Sequence, residues 1–152
     1  MMNSGRLQKE LAFHTSNLVL AHIHLSTFMM EKNEAGIESF LETNFKDLQH
    51  RCLSLHKLLD ELAVEDAALH RKIVRDGRKN TVVYNLFVST LLVIGKGNPN
   101  KETLKHAQYT HFLGGCARLC LALPIDSFSM FGGDTAEFLQ SRMKPFENAG
   151  LD

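Results

Sequence analysis

The sequence contains no tryptophan, only three prolines and only three cysteines among its 152 residues. A small and odd number of cysteines excludes a fold held by a disulfide framework and is typical of a reducing compartment. Long hydrophobic runs are also missing, because the most apolar stretch, residues 81–94, is interrupted by polar side chains and a bilayer span needs about 20 apolar residues. Since no signal-peptide pattern precedes it, we expect a soluble, cytoplasmic protein with no membrane contact.

An excess of charge of one sign is likewise absent. Seventeen basic residues balance seventeen acidic ones, so no overall charge directs the chain to nucleic acid or to a membrane. Apolar residues make up 44% of the chain and charged residues 22%, which excludes a disordered sequence. The length fits one domain of ordinary size, so we predict a single helical domain over residues 1–152.

The pattern of apolar residues predicts helices. From residue 7 onward they recur in alternating steps of four and three, which is typical of one helix face. The positions are Leu7, Leu11, His14, Leu18, Ala21, Leu25 and Phe28. Ser4 is the predicted N-cap, and residues 33–36 are the predicted exit. The next stripe, over residues 37–76, contains neither glycine nor proline. It predicts one helix of about 40 residues or a pair joined at residues 43–44 or 64–66.

Residues 81–94 are apolar and β-branched on every side. Fourteen residues are long for a strand, and no second strand candidate exists to pair with them. We therefore predict a fully buried central helix, which begins at Asn80 or Thr81 after Gly77 has closed the preceding helix.

The remaining segments complete an all-α prediction. Residues 95–100 indicate a turn, because glycine, asparagine and proline accumulate there. We expect a helix over residues 101–123 that stops at Pro124, a loop over residues 125–133, and a last helix that Asp134 caps and Pro145 interrupts. The predicted fold is a bundle of about five helices, with one long or kinked second helix.

The first helix carries more apolar side chains than one buried face needs. The additional residues are Phe13, Leu20, Ile23, Met29 and Met30. Methionine is frequent at adaptable binding surfaces, and an apolar excess on a small bundle indicates an interface. We therefore predict a non-enzymatic protein without a cofactor that binds another protein or a second copy of itself. An adaptor, an inhibitor or immunity-type protein, and a small subunit of a larger assembly all fit this prediction.

A basic segment in the middle of the chain supports an alternative function. Residues 70–106 contain eight basic and only two acidic side chains. The densest part contains Arg71, Lys72, Arg75, Arg78 and Lys79. Such a cluster can bind phosphates, which predicts a nucleic-acid-associated accessory subunit. The other interpretation is a helix C-terminus whose negative end is complemented by cations.

Residue spacing gives little support for metal binding or nucleophilic catalysis. No two of the eight histidines are three or four residues apart, as a metal site on one helix requires. Ligands that converge from separate helices remain an alternative. Cys116 and Cys120 lack the CxxC spacing of metal and redox sites, so we expect both to be buried as small apolar residues. We predict no metal site and no catalytic residue.

One short segment resembles a known family. The sequence His111-Phe112-Leu113-Gly114-Gly115-Cys116-Ala117 is similar to the HxLKGxA motif of histidine-containing phosphotransfer domains, which are also helical bundles. The resemblance implies that His111 carries a phosphoryl group and that Gly115 is the small residue beside it. Gly114 stands where that family has lysine. The alternative is a glycine pair that lets a neighbouring element pack closely.

His14 is predicted to be buried, because it lies between Leu11 and Leu18 in the first apolar stripe. A buried imidazole needs a hydrogen-bond partner. Desolvation should lower the pKa of His14 and keep the ring neutral near pH 7.

Overall fold

The computed structural model describes residues 4–98, 100–106, 109–131 and 133–151, which form seven α-helices and two 3₁₀ helices without any strand. The α-helices are α1 (Ser4–Met30), α2 (Glu34–Glu65), α3 (Ala67–Val74), α4 (Arg78–Lys96), α5 (Lys101–His106), α6 (Tyr109–Ala122) and α7 (Gly133–Met143). The 3₁₀ helices span Ile125–Phe131 and Lys144–Phe146. The all-α class is therefore confirmed, but the described residues form more helices than the five or so predicted.

A short asparagine-capped connection joins α1 to α2. Asn33 is the N-cap of α2, and its side-chain oxygen accepts a hydrogen bond of 2.9 Å from the backbone N–H of Gly36. This bond satisfies one of the free donors of the first turn. Of the exit predicted at residues 33–36, only Asn33 lies in this connection, because α2 already begins at Glu34.

The second helical segment is broken at Asp66. This residue ends α2 and caps α3, because its Oδ1 accepts from the backbone N–H of Leu69 at 3.1 Å. Its Oδ2 accepts from the Ser4 hydroxyl at 2.5 Å, which connects the joint to the start of α1. Both bonds lower the pKa of Asp66, with the Ser4 bond contributing most. The structure therefore selects residues 64–66 over residues 43–44 as the joint.

The prediction that residues 81–94 form a fully buried central helix is wrong in one respect. The helix is there, but it begins at Arg78 and leaves one side in solvent. The helix that is buried on all sides is α6, in which every residue from 112 to 120 is buried. α1, α3, α4 and α7 all pack against it, and Gly115 lets α4 approach closely.

The C-terminal third is more divided than predicted. Within residues 101–123 the structure describes α5 and α6, and residues 107–108 between them lie outside the described residues. The segment expected to be a loop forms the 3₁₀ helix Ile125–Phe131. α7 begins at Gly133, so Asp134 lies in its first turn rather than at the cap, and the helix ends at Met143, before Pro145. Pro99 and Gly132, predicted in turns, also lie outside the described residues.

The core stripe of α1 keeps the predicted Leu7, Leu11, Leu18 and Leu25, but the predicted His14, Ala21 and Phe28 are only partly buried. His14 is half-buried, whereas Thr15 and His22 are buried. Leu11 and Leu18 are both in the core and are seven residues apart. Because seven residues are slightly less than two helical turns, either residue 14 or residue 15 can lie on the core side between them. Because the structure places Thr15 on the core side, His14 lies at its edge. The predicted direction of the His14 pKa shift is confirmed, since burial, then Arg51, then His50 lower it.

Candidate interaction surface

Three aliphatic side chains stand in solvent along the outward face of α4. They are Val82, Leu86 and Val93, which are 52%, 36% and 41% exposed, and we call them the α4 stripe. Steps of four and seven residues keep them on one side of the helix, and the longer step passes over the exposed Ser89. The opposite side of α4 is in the core. The most apolar segment of the sequence thus leaves apolar surface uncovered.

The inner side of α4 is held tightly. A Cβ atom added to Gly115 of α6 would overlap the ring of Phe87, so the two helices touch without space for a larger residue. Tyr84 Oη lies 3.1 Å from His70 Nε2. Burial and, to a smaller extent, Asp60 raise the pKa of Tyr84 to about 12, so its hydroxyl remains protonated and can donate to the imidazole. These contacts fix which face of α4 is turned outward.

A buried arginine organises the corner between α3 and α4. Arg118 is 1% exposed, and its Nη1 donates to the carbonyl oxygens of Val74 at 3.1 Å and Asn80 at 3.3 Å. Its Nη2 donates to Asn80 Oδ1 at 3.0 Å. Arg75 and Gly77, in the turn between the helices, both have positive φ angles, of 60° and 130°. The guanidinium therefore links α6 to both helices that meet at this corner.

Sequence reasoning did not single out Arg118. The signal was present, because it is the only charged residue between positions 110 and 125. A lone cation in an apolar helical segment indicates a buried, hydrogen-bonded side chain, since burying an unpaired charge is very unfavourable. Burial lowers the pKa of Arg118, and the nearby charge of Arg75 lowers it further.

The structure brings most of the predicted basic residues to this corner with their side chains in solvent. The exposed members are Arg71, Lys72, Arg78 and Lys79, which we call the corner cations. Arg75 is half-buried instead. Its Nη2 lies 3.5 Å from Glu147 Oε2, and its Nη1 donates to the Glu147 carbonyl at 3.4 Å. Arg75 is thus engaged within the fold, and four cations remain available to a partner.

A groove of about 480 Å³ runs between α4 and the C-terminal strap, residues 147–151. The helix contributes Val82 and Leu86 to the floor and Arg78 and Lys79 to one end, while the strap contributes Gly150 and Leu151. The strap residues are separated from α4 by more than fifty positions in the sequence. The groove is therefore a product of tertiary packing.

His111 lies under the same strap. Its Nδ1 atom is buried and has no hydrogen-bond partner among the described residues, and a Cβ atom added to Gly150 would lie 2.7 Å from it. A Cβ atom added to Gly114 would meet the Ala149 carbonyl oxygen at the same distance. Gly114 therefore faces the strap, and Gly115 faces α4. Both glycines of the phosphotransfer-like segment permit close packing.

The residues predicted to form a binding surface on α1 lie in different environments. Leu20, Met29 and Met30 are exposed, Ile23 packs against the core, and Phe13 is half-buried. The Arg51 guanidinium lies 5.0 Å from the centre of the Phe13 ring. Met30 is seventeen residues from Phe13, or about 25 Å along the helix. These side chains are therefore spread along α1 rather than gathered in one patch.

The cysteines and His22 in the core are buried among other residues of the fold. Cys52, Cys116 and Cys120 are free and buried, as predicted for the last two, and burial raises the pKa of Cys52 and of Cys120 to about 12. His22 Nδ1 lies 3.0 Å from the hydroxyl of Tyr109. Among the described residues, no three histidine, cysteine or carboxylate side chains are grouped as a metal site would require.

Comparison with protein-family models, with curated proteins and with solved structures finds no significant match to this chain. Within the described ranges, no helix combines the length and apolar character that a membrane span requires. Function must therefore be argued from the surface of the molecule itself.

Proposed function

We propose that this chain is a non-enzymatic cytoplasmic protein that binds another protein on the outward face of α4. The observation that carries the proposal is the α4 stripe, an aliphatic surface beside the corner cations. Complete burial of a valine or leucine side chain contributes about 1.5–3 kcal/mol. Covering the uncovered parts of three such side chains therefore favours association, and contacts around the stripe must supply the rest of the binding free energy.

The combination of apolar and charged surface favours a protein partner. Protein interfaces have an apolar centre and a polar, hydrated rim, and the α4 stripe with the corner cations has this arrangement. Contacts to the nucleic-acid backbone are made mainly by charged and polar groups, and they leave aliphatic side chains such as Leu86 unused.

The surface is also preorganised. The Arg118 hydrogen bonds fix the corner, and close packing against α6 fixes the helix. A partner that binds such a surface does not have to order it, which reduces the entropic penalty of association.

A matched pair of variants tests the proposal. Val82→Ser/Leu86→Ser removes two aliphatic side chains of the stripe, and Leu20→Ser/Met30→Ser removes two exposed apolar side chains of α1. Each immobilised variant is exposed to extract from the source organism, and captured proteins are quantified by mass spectrometry. We expect a partner that is retained by the wild type and the α1 control and lost from the α4 variant.

Two outcomes contradict the proposal. One is capture that does not differ between the two variants. The other is a wild-type dimer, measured by light scattering, that the α4 variant converts to a monomer. The second result assigns the face to another copy of this chain.

A nucleic-acid-binding role is the second candidate, and the clustering of the four corner cations favours it. Backbone contacts release counterions, so binding should weaken steeply as salt rises above about 50 mM. Reversing all four charges to glutamate should abolish a gel shift, whereas Val82→Ser/Leu86→Ser should preserve it. Absence of a wild-type shift at low salt removes this candidate.

A further inference from the structure

The groove beside α4 has a charge asymmetry along its length. Its floor is aliphatic, with Val82 and Leu86 from the helix and Leu151 from the strap. Its volume is about 480 Å³, and it is open to solvent. Such a floor accepts apolar side chains and disfavours charged ones.

The end of the groove at the start of α4 is positive. Arg78 and Lys79 line it and are exposed, and among the lining residues that the structure describes none is acidic. The N-cap residue Gly77 provides no side-chain acceptor, so the first turn of α4 keeps the partial positive charge of a helix N-terminus. Two side chains and the helix end thus favour an anionic group here.

The groove also restricts the backbone form of its occupant. An extended peptide adds to a sheet edge by main-chain hydrogen bonds, whereas backbone groups in the interior of α4 are paired within the helix. An occupant therefore binds the α4 wall through side chains. An amphipathic helix does this by placing residues three, four and seven apart in an apolar groove, and the α4 stripe has matching spacing.

We propose that the partner inserts an acidic amphipathic helix into this groove, with apolar side chains on the aliphatic floor and carboxylates over Arg78 and Lys79. This inference rests on the proposed function, because it names the chemistry of the partner at the same face. The negative charge of the helix would speed association and set its direction along α4.

A display library of random 16-residue peptides tests the chemistry without knowledge of the natural partner. The folded full-length chain is immobilised, and recovered peptides are sequenced and measured by fluorescence anisotropy. We expect acidic peptides with apolar residues at helical spacing. The charge-reversal variant Arg78→Glu/Lys79→Glu should weaken their binding by about tenfold or more, which corresponds to about 1.4 kcal/mol.

The control Lys9→Glu/Lys46→Glu introduces the same change in net charge at exposed positions on α1 and α2 and should leave binding unchanged. The variant Val82→Ser/Leu86→Ser should also weaken binding. Circular dichroism checks that every variant is folded.

The outcomes separate this inference from the proposed function. Two results overturn the acidic-helix inference and leave the proposed function standing. In the first, the recovered peptides depend on the α4 stripe but are neutral or basic. In the second, they bind the charge-reversal variant as well as they bind the wild type. Peptides whose binding is unchanged in both variants also overturn the inference, and the capture experiment with the α4 variant decides the proposed function. Recovery of no peptide overturns the inference alone, since a folded partner domain can still cover the stripe.

Discussion

Arg118 is the side chain on which the corner between α3 and α4 depends. Its guanidinium is removed from water, and the acceptors that the structure describes for its Nη groups are two backbone carbonyls and one amide oxygen. Hydrogen bonds to a charged group contribute more than neutral ones, and an acceptor left unpaired in the interior is unfavourable. The exposed cations beside it therefore depend on a buried cation for their position.

Replacing Arg118 with alanine should lower the free energy of unfolding by about 2–4 kcal/mol, because it removes three hydrogen bonds and leaves a cavity. Urea denaturation followed by circular dichroism measures the loss. Arg71→Ala removes an exposed arginine one turn before the corner and should change the same quantity by less than about 0.5 kcal/mol. Equal effects of the two variants would falsify the structural role given to Arg118.

Protonation of His22 should destabilise the fold in acid. Burial, and then the charge of Arg142, lowers the pKa of His22 from its ordinary 6.5. Below pH 6.5 the unfolded chain therefore binds a proton at this position more readily than the folded chain does. The free energy of unfolding consequently falls as the pH decreases below 6.5. Well above pH 6.5, His22 is neutral in both the folded and the unfolded chain and contributes no pH dependence. The pKa values of His14 and His70 are lowered as well and act in the same direction.

The variant His22→Gln isolates this contribution, since it removes the titrating ring and keeps a neutral polar side chain at this position. We expect the free energy of unfolding to fall less between neutral and mildly acidic pH in this variant than in the wild type. His24→Gln changes an exposed histidine on the same helix and should retain the wild-type slope. Urea denaturation at a series of pH values provides the comparison, and parallel slopes for the wild type and His22→Gln would contradict it.

At the scale of helices, close contact between α4 and α6 requires a glycine. The Phe87 ring occupies the space where a Cβ atom of Gly115 would lie, and Phe87 is itself buried. The ring has no free volume into which to move, because protein interiors are densely packed.

Gly115→Ala should therefore lower the free energy of unfolding by about 1–3 kcal/mol through overpacking, although alanine is the better helix former by about 1 kcal/mol. Gly95→Ala is the matched control on α4. Its new methyl group would meet Leu53, which is partly exposed and can change rotamer, so the loss should be smaller. Thermal unfolding of both variants tests the order, and a Gly115 variant as stable as the Gly95 variant contradicts this account of the contact.

The elements show which features could be predicted from the sequence. The helical class follows from local rules of periodicity. Capping preferences offer residues 64–66 as one of two joints beside an unbroken helix, and the structure selects this joint. The identity of the central helix does not follow from such rules, because residues 81–94 have the higher apolar content. Gly114 and Gly115 instead let the strap and α4 approach α6 closely. A count of apolar residues does not report this effect of side-chain volume.

Only part of the candidate site could be predicted from the sequence. The corner cations were found because a local excess of charge is visible in the sequence. The groove was not found, since one wall comes from Gly150 and Leu151 and the other from α4. The exposure of Leu86 also depends on which side of α4 meets α6, and this is decided by tertiary packing.

At the scale of the whole molecule, the C-terminal strap forms a second, weaker layer over the core. Its tertiary hydrogen bonds come from Arg75 to Glu147 at 3.4 and 3.5 Å, and its own backbone bonds are local, as from Ala149 N–H to the Phe146 carbonyl. It nevertheless covers His111 and forms a wall of the groove. The shape of the groove therefore depends on a segment held less firmly than the helices beneath it.

This difference predicts two rates of amide hydrogen exchange. The α6 amides are buried on every side and should exchange only through global unfolding, whereas the strap amides should exchange faster through local opening. Arg75→Ala should accelerate exchange in the strap severalfold and leave α6 unchanged, because it removes both anchoring bonds.

Mass spectrometry of peptides that cover each segment measures these rates, and Lys144→Ala, which removes an exposed cation just before the strap, is the control. Because the strap lines the groove, Arg75→Ala should also weaken peptides that bind beside α4, even though Arg75 is not among the lining residues. Equal exchange in the strap and α6 of the wild type would show that the strap opens only when the whole molecule unfolds. In that case the groove is as rigid as the core, and Arg75→Ala should not weaken peptide binding by loosening the strap.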